Sequence, residues 1–215
     1  MKKVILFDLD GTIIDSQEGV TKCVQYALAH FGIWEEDLEK LRVFIGPPLR
    51  GQFRKLYGFT PEQAEEAVKV YRERYVKKGM YECRLYPYVK EILEHLRQKG
   101  YLLALASSKN ESACIGILEH FGIDTYFDLI GGATDDGKIS EKADVLKLVM
   151  ERMGYPDLED YILIGDTRFD VLGAKAVGMD CIGVTYGFGS REELKEAGAG
   201  EIFASLQEVE AYFEA

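Results

Sequence analysis

The chain has 215 residues, of which 47% are hydrophobic, and 26 Lys and Arg against 37 Asp and Glu give it a formal charge of −11. A nucleic-acid-binding surface is normally basic, whereas basic residues occur here only as pairs such as Lys2-Lys3, so we expect no nucleic-acid partner. The longest apolar run, Tyr101 to Ala106, is far shorter than the roughly 20 residues of a membrane helix, so we also expect no membrane span.

The N-terminus and the cysteines indicate an ordinary intracellular protein. The first apolar run stops at Asp8, too early for the core of a secretion signal. The four cysteines are too far apart for a metal clamp or a dithiol pair. We therefore expect a cytoplasmic protein with reduced, mostly buried thiols.

The first predicted element is a strand at Val4 to Phe7, whose unbroken apolar run is typical of a parallel strand buried on both faces. Asp8-Leu9-Asp10-Gly11-Thr12 follows directly. Ligands of open α/β sheets bind beyond the carboxyl ends of strands, and two carboxylates on one side there invite a cation or raise one pKa. The N–H groups of Gly11 and Thr12 could meet a phosphate oxygen. An isolated Asp-x-Asp is more often a polar turn.

The next stretch, from about Ser16 to Cys83, shows helical patterns and no convincing strand, which predicts an inserted helical bundle. Its first helix carries an apolar stripe from Val20 to Phe31. A capping box at Thr60-Pro61-Glu62-Gln63 begins a helix that we expect to run to Gly79. Shorter helical segments near residues 37–43 and 49–57 would complete the bundle.

Within this insertion, Ile45-Gly46-Pro47-Pro48-Leu49-Arg50 is the best candidate for a substrate-recognition loop. Gly46 and the two prolines make a stiff turn, and the Arg50 guanidinium could clamp an anionic group of a substrate. A plain helix start with Arg50 in solvent is an equal alternative. Aromatic residues of the insertion could stack on a base or sugar, although a role in the core of the bundle is simpler; they are Trp34, Phe44, Phe53, Tyr57, Tyr71 and Tyr75.

Beyond the insertion, strands alternate with helices that end near glycines. The predicted strands are residues 102–106, 161–164 and 181–184, with 127–130 a weaker candidate. The fold class is therefore α/β: a Rossmann-like parallel sheet core, residues 1–15 and 84–215, with an inserted all-helical cap, residues 16–83.

Polar groups recur at the ends of these strands. Ser107-Ser108-Lys109 follows one strand and Gly165-Asp166-Thr167-Arg168-Phe169-Asp170 another, while Lys142 begins a helix between them. Singly, each has an ordinary explanation as a helix cap, a helix-dipole partner or a solvated lysine. Their joint position at one edge of one sheet indicates a site, and Tyr186 to Gly189 is a further loop that could border it.

In this order, the motifs resemble those of the haloacid dehalogenase superfamily, in its phosphoglycolate phosphatase-like branch with a helical cap. Asp8-x-Asp10-Gly11-Thr12 is similar to the first motif, Ser107 to the second, Lys142 to the third and Gly165-Asp166-x-x-x-Asp170 to the fourth.

Three positions depart from the family's usual pattern. Ala143 stands where relatives usually have Pro, Ser107-Ser108 where many have Thr-Asn, and Arg168 is unexpected beside the acidic motif. Lys138 competes with Lys142 for the third motif, although Lys142 fits better at the start of the helical pattern.

The resemblance implies a role for each matching residue. Asp8 would attack phosphorus and form an aspartyl phosphate, and Asp10 would be the general acid and then the base. Lys142 and Ser107 would neutralise charge on the phosphoryl group. Mg²⁺ would be held by Asp8, the Asp10 backbone carbonyl and Asp166, with Asp170 assigned to the metal site but further from the ion. The expected substrate contacts are Gly11, Thr12, Ser108, Lys109, Gly46 and Arg50.

The implied function is a Mg²⁺-dependent phosphatase of small phosphorylated metabolites, with phosphoglycolate, a nucleoside monophosphate and pyrophosphate as candidate substrates. The carboxylate at Asp10 argues against the dehalogenase branch, which lacks it, and against the ATPase branch, which carries Thr there. A sugar phosphomutase and a phosphometabolite-binding regulator with little turnover stay open as alternatives. We expect a monomer or a weak homodimer.

Overall fold

The structure, a computed structural model, describes residues 2–134, 138–154 and 157–214. The chain divides into two compact units, one formed by Met1–Ile14 with Leu85–Ala215 and the other by Asp15–Arg84. The domain ranges predicted from the sequence differ from these by one residue at each boundary.

The strands of the described residues form two sheets. In chain order they are β1 Val4–Phe7, β2 Ile14–Asp15, β3 Arg84–Leu85, β4 Leu102–Asn110, β5 Leu129–Ala133, β6 Tyr161–Gly165, β7 Asp180–Val184 and β8 Glu201–Phe203. Six of them make a sheet in the order β5-β4-β1-β6-β7-β8, with each neighbouring pair parallel. The two-residue strands β2 and β3 pair separately. The predicted α/β fold with a parallel sheet is confirmed.

The α-helices of the described residues are α1 Gln17–His30, α2 Leu49–Tyr57, α3 Pro61–Tyr75, α4 Val89–Gln98, α5 Glu111–Phe121, α6 Lys142–Met153, α7 Arg168–Ala176, α8 Arg191–Ala197 and α9 Leu206–Glu214. The first three belong to the second unit and the others to the first. As the sequence predicts, α5 and α6 end at Gly122 and Gly154, whose φ angles of 64° and 71° lie in the left-handed region that favours glycine.

The core of the first unit explains why β1 is apolar at every position. Val4 and Leu6 pack with α6 residues such as Val149 on one face of the sheet, while Ile5 and Phe7 are also fully buried. A strand with neighbours on both edges and cover on both faces has no solvent-facing side. The first polar residues after β1 therefore come at the carboxyl end of the strand, where the parallel strands of the sheet all end.

The second unit is helical, as its sequence predicts. It adds 3₁₀ helices at Leu38–Phe44 and Gly79–Tyr81 to α1, α2 and α3, and α3 begins with the predicted capping box of Thr60 and Gln63. The prediction that this helix reaches Gly79 is wrong: α3 ends at Tyr75. The next residue, Val76, is 57% exposed, so the buried apolar stripe that would continue the helix stops there.

The aromatic residues of the second unit are used mainly in packing. Phe44, Phe53, Tyr71 and Tyr75 are buried, and the rings of Phe44 and Phe53 lie 4.8 Å apart. Trp34 differs, because it is 80% exposed and lies in a stretch without helix or strand.

No helix in the described part of the chain is both long enough and apolar enough to cross a membrane. The four cysteines are free thiols, and those of Cys23, Cys114 and Cys181 are buried.

Candidate active site

The predicted site residues of the first and fourth motifs lie at the carboxyl ends of adjacent central strands. β1 lies between β4 and β6, and Phe7 pairs with Leu105 on one side and Ile164 on the other. The Asp8 N–H continues this pattern by donating to the Ile164 carbonyl at 2.9 Å. Parallel strands in register therefore bring Asp8 close to the loop that carries Asp166.

Lys142, the first residue of α6, connects two of the carboxylates. Its Nζ lies 2.5 Å from Oδ1 of Asp8, 2.7 Å from Oδ1 of Asp170 and 2.8 Å from the Ala106 carbonyl oxygen. The side chain is 6% exposed. Gly173 of α7 makes room for it, since a Cβ there would collide with the Lys142 side chain. Lys138, the competing residue for this motif, is exposed.

The two carboxylates of the fourth motif have different partners. Asp166 is fully buried; its Oδ2 accepts from the Phe188 N–H at 2.7 Å, and its Oδ1 accepts a longer bond of 3.3 Å from the Thr12 hydroxyl. Asp170 caps α7, since its Oδ2 accepts from Thr167 N at 2.9 Å and Thr167 Oγ1 at 2.8 Å. Asp170 is thus committed to Thr167 and Lys142, whereas Asp166 has fewer donors around it.

Two glycine-containing loops enclose the Asp166 carboxylate. A Cβ at Gly11, whose φ is 87°, would collide with Asp166 Oδ2, and so would a Cβ at Gly187. The Tyr186 hydroxyl donates to the Thr12 carbonyl at 2.8 Å and ties the two loops together. The loop of residues 186–189, for which the sequence offered only its position after a strand, is therefore in direct contact with the acidic motif.

Burial and like charge shift the titration of this cluster. Burial, opposed by Lys142 and reinforced by Asp170, raises the pKa of Asp8 from 3.8 to about 6. Burial, followed by the charges of Asp170 and Asp8, raises the pKa of Asp166 well above its usual range. Burial also opposes the charged form of Lys142, but Asp170 and Asp8 outweigh it and raise the pKa of the ammonium.

The cluster is suited to a metal ion. Asp8, Asp166 and Asp170 each present a carboxylate oxygen, and these oxygens lie within 4.8 Å of one another. Only one ammonium, that of Lys142, compensates them at close range within the described residues. A divalent cation would offset the burial and the like-charge repulsion that raise the pKa values of Asp8 and Asp166, so these residues fit a cation that prefers oxygen ligands.

The carboxylate of Asp10 lies outside this acidic cluster and pairs with Lys109, whose Nζ is 2.8 Å from Oδ1 and 2.7 Å from Oδ2. Ser107 is buried, and its Oγ accepts from the Lys109 N–H at 3.3 Å. Ser108, by contrast, is exposed. The structure thus brings Ser107 and Lys109 to the strand-end site and leaves Ser108 in solvent.

The backbone N–H groups of Gly11 and Thr12, which the sequence predicts as phosphate contacts, donate hydrogen bonds within the protein. The N–H groups of Gly11 and Thr12 donate to the carbonyls of Ile14, at 2.8 Å, and Leu9, at 3.3 Å. These two hydrogen bonds close the turn after β1.

In the second unit, Gly46 has a φ of 97°, in keeping with the predicted tight turn. Arg50 donates Nη2 to Oε1 of Glu65 at 2.9 Å and also pairs through Nε. The side chains of Arg50 and Glu65 are 56% and 60% exposed.

Chemically, the first unit combines a buried carboxylate beside an ammonium with a second carboxylate two residues further on. A carboxylate can act as a nucleophile when a neighbouring cation keeps it ionised, and fixed positive groups can stabilise charge on a transferring phosphoryl group. The arrangement can therefore support covalent displacement at phosphorus.

Comparison with known proteins agrees with this chemistry. Residues 5–184 match the model of a family described as haloacid dehalogenase-like hydrolase. The chain is 44% identical to a 5′-nucleotidase of Pseudomonas aeruginosa, over 89% of this chain and 86% of that protein. It is 31% identical to phosphoglycolate phosphatase 1 of the same species, over 97% and 79%. The crystal structure of a predicted phosphatase from Clostridium acetobutylicum superposes with a TM-score of 0.95 at 44% identity, covering 100% of this chain and 99% of the other.

Proposed function

Because the chain belongs to the haloacid dehalogenase-like hydrolases and is a phosphoric monoester hydrolase, we propose that it is a Mg²⁺-dependent phosphatase of small phosphorylated metabolites that works through an aspartyl phosphate. One observation carries the proposal. Lys142 joins Asp8 and Asp170 at the carboxyl end of the central strand, beside the buried carboxylate of Asp166.

In the first step, an oxygen of Asp8 attacks the phosphorus of the monoester. The new bond joins Asp8 to phosphorus, and the bond from phosphorus to the ester oxygen breaks. Lys142 supports this step because its ammonium, 2.5 Å from Asp8 Oδ1, favours the ionised carboxylate and offsets the charge that develops on the phosphoryl group. Ser107, buried on the neighbouring strand β4, would donate a hydrogen bond from its hydroxyl to a phosphoryl oxygen.

Asp10 is the general acid and base of the two half-reactions. It gives its proton to the leaving oxygen, and then takes a proton from the water that attacks the aspartyl phosphate. The oxygen of this water bonds to phosphorus, and the bond between phosphorus and Asp8 breaks. The products are the alcohol and inorganic phosphate, with Asp8 and Asp10 restored. The same carboxyl group thus serves both half-reactions, because the proton that it loses in the first is replaced in the second.

Asp8, the backbone carbonyl of Asp10 and Asp166 would hold the metal ion. Mg²⁺ prefers oxygen ligands and, when bound, supplies positive charge for the phosphate dianion. Asp170, whose two oxygens are held by Lys142 and Thr167, orients the Lys142 ammonium from the far side. Asp166, which accepts fewer hydrogen bonds than Asp170, would then be the second carboxylate ligand of the ion.

The substrate is a monoester whose remaining part is recognised outside the phosphate site. The 44% identity to a 5′-nucleotidase makes nucleoside monophosphates the first candidates, ahead of phosphoglycolate. We assign the first unit to catalysis and the second unit to a cap that selects the substrate, with Gly46 and Arg50 among its recognition residues. Lys109 is the corresponding candidate in the first unit, whereas Ser108 is exposed and would contact only a substrate group that extends into solvent.

A panel of phosphate esters tests the proposal. The purified protein is incubated with Mg²⁺ and with nucleoside monophosphates, phosphoglycolate, sugar phosphates and pyrophosphate, and released phosphate is measured. We expect turnover of at least one monoester, and Asp8→Asn serves as the inactive control. Release of phosphate from no member of the panel would refute the proposal, and turnover only with an added sugar bisphosphate would point to a mutase.

A further inference from the structure

The contact between Lys109 and Asp10 is more than a surface ion pair. Lys109 Nζ lies within 2.8 Å of both oxygens of the Asp10 carboxylate. The two side chains are only 10% and 18% exposed, so water screens the pair less than it screens an exposed pair. The Lys109 ammonium therefore favours one orientation of the Asp10 carboxylate.

An irregularity in the backbone of β4, just before α5, places Lys109 beside Asp10. The pairing of β4 with β5 shifts register between Ser107 and Asn110, and such irregularities redirect side chains at strand ends. Gly132 on β5 permits the shift, since a Cβ there would come within 2.6 Å of the Lys109 carbonyl and 2.7 Å of Glu111 N. The Lys109 N–H is also held by Ser107 Oγ at 3.3 Å.

The backbone of Asp10 is fixed independently of this lysine. Gly11 N donates to the Ile14 carbonyl at 2.8 Å, and Ile13 N and Ile14 N donate to Leu9 at 2.9 Å and 3.0 Å. These bonds close the turn but leave the Asp10 side chain free to rotate about its own torsions. In the described part of the chain, the side chain that restrains the Asp10 carboxylate is Lys109.

We infer that Lys109 is a positioning residue for the acid and base step: it holds the Asp10 carboxylate in the orientation from which a proton reaches the leaving oxygen. The inference deepens the proposed function and rests on it. Proton transfer needs a heavy-atom distance of roughly 2.6–3.2 Å, so loss of the restraint should affect the reaction in proportion to how much the leaving group needs a proton. Binding of the rest of the substrate by Lys109 alone would produce no such dependence.

The test compares two substrates on matched variants, in the presence of Mg²⁺. Lys109→Met removes the ammonium and keeps most of the chain length, Lys109→Arg keeps a donor, and Lys147→Met is the control at an exposed lysine paired with Asp144. p-Nitrophenyl phosphate has a leaving anion that needs little protonation, whereas glycerol phosphate has an alkoxide that needs much.

General acid catalysis typically contributes about 10²–10⁴-fold, so we expect Lys109→Met to lower kcat on glycerol phosphate by about ten-fold more than on p-nitrophenyl phosphate. Lys109→Arg should recover part of that difference, and Lys147→Met should show none. In the Asp10→Asn background, Lys109→Met should add no further loss that depends on the leaving group, because the two residues act as a unit.

Equal losses of kcat on the two substrates in Lys109→Met would overturn this inference, and so would a leaving-group effect of Lys109→Met that persists in the Asp10→Asn background. In both cases, turnover by the wild-type protein would still support the proposed function. A wild-type protein that released phosphate from neither ester would overturn both. Circular dichroism checks that each variant is folded, and Lys109→Gln replaces Lys109→Met in the same comparison if the apolar side chain disrupts folding.

Discussion

Replacing Asp8 by Asn should remove turnover and, without metal, make the protein more stable. The substitution keeps the side-chain volume and removes one buried charge, and Lys142 keeps Asp170 at 2.7 Å. Burial is the main reason that the pKa of Asp8 rises from 3.8 to about 6. The unfolded chain releases this proton near the lower value and the folded protein near the higher one, so folded-state stability falls as the pH rises through this window.

The size of the effect follows from these two pKa values. A rise from 3.8 to about 6 corresponds to at most about 3 kcal/mol, which for a chain of this length is a shift of roughly 6–12 °C in Tm. The loss of stability that comes from ionising Asp8 is absent below pH 3.8, the lower pKa, and complete above about pH 6, the higher one. The advantage of Asp8→Asn over the wild type should therefore grow between pH 4 and pH 8.

The assay is thermal unfolding in a chelator at these two pH values, combined with phosphate release in Mg²⁺. Asp144→Asn, at an exposed carboxylate paired with Lys147, is the matched control and should show no such pH dependence. An Asp8→Asn protein that is less stable than the wild type at pH 8 would refute the electrostatic reasoning. One that keeps more than about a tenth of the wild-type kcat, a barrier increase below roughly 1.4 kcal/mol, would refute the covalent mechanism.

Three further outcomes are expected. Excess EDTA should abolish phosphate release and added Mg²⁺ restore it, with Asp166→Ala raising the Mg²⁺ concentration needed for half-maximal activity; full activity in EDTA would contradict the metal site. Gly187→Ala should lower kcat/KM at least ten-fold, because its Cβ would collide with Asp166 Oδ2, whereas Gly51→Ala, with no atom within 4 Å of the added Cβ, should be neutral. Arg50→Ala should weaken turnover of phosphoglycolate, whose carboxylate is an anionic tail, about ten- to a hundred-fold more than that of p-nitrophenyl phosphate, and Glu65→Gln should not; equal losses on both substrates would make Arg50 structural.

The parts of the fold that the sequence predicts well are those in which burial dictates composition. β1, β6 and β7 are apolar runs because both faces of each strand are covered, and their predicted ranges agree with the structure to within one residue at either end. β8 is an edge strand whose residues Glu201, Ile202 and Phe203 are at most half-buried, so it lacks such a run. β2 and β3 have two residues each, too few for any periodicity to appear.

For the site, the sequence indicates which residues lie at the strand ends but not which of them pair. The motif order places Asp8, Lys142 and Asp166 at one edge, because parallel strands share their carboxyl ends. The pairing of Asp10 with Lys109 depends on a register shift in β4, and no local pattern in Ser107-Ser108-Lys109 signals it. The contact of Gly187 with Asp166 likewise depends on two loops that are distant in sequence.

Charge balance explains why an acidic protein can receive a phosphate dianion at this edge. Four carboxylates, those of Asp8, Asp10, Asp166 and Asp170, face two ammonium groups, those of Lys109 and Lys142. When all six are ionised, the negative groups outnumber the positive ones by two, and a dianion would be repelled. A proton on Asp8, whose pKa is about 6, offsets part of this excess but inactivates the nucleophile. A divalent cation offsets the whole of it and leaves Asp8 ionised, so a cation and a phosphate monoester should each strengthen binding of the other.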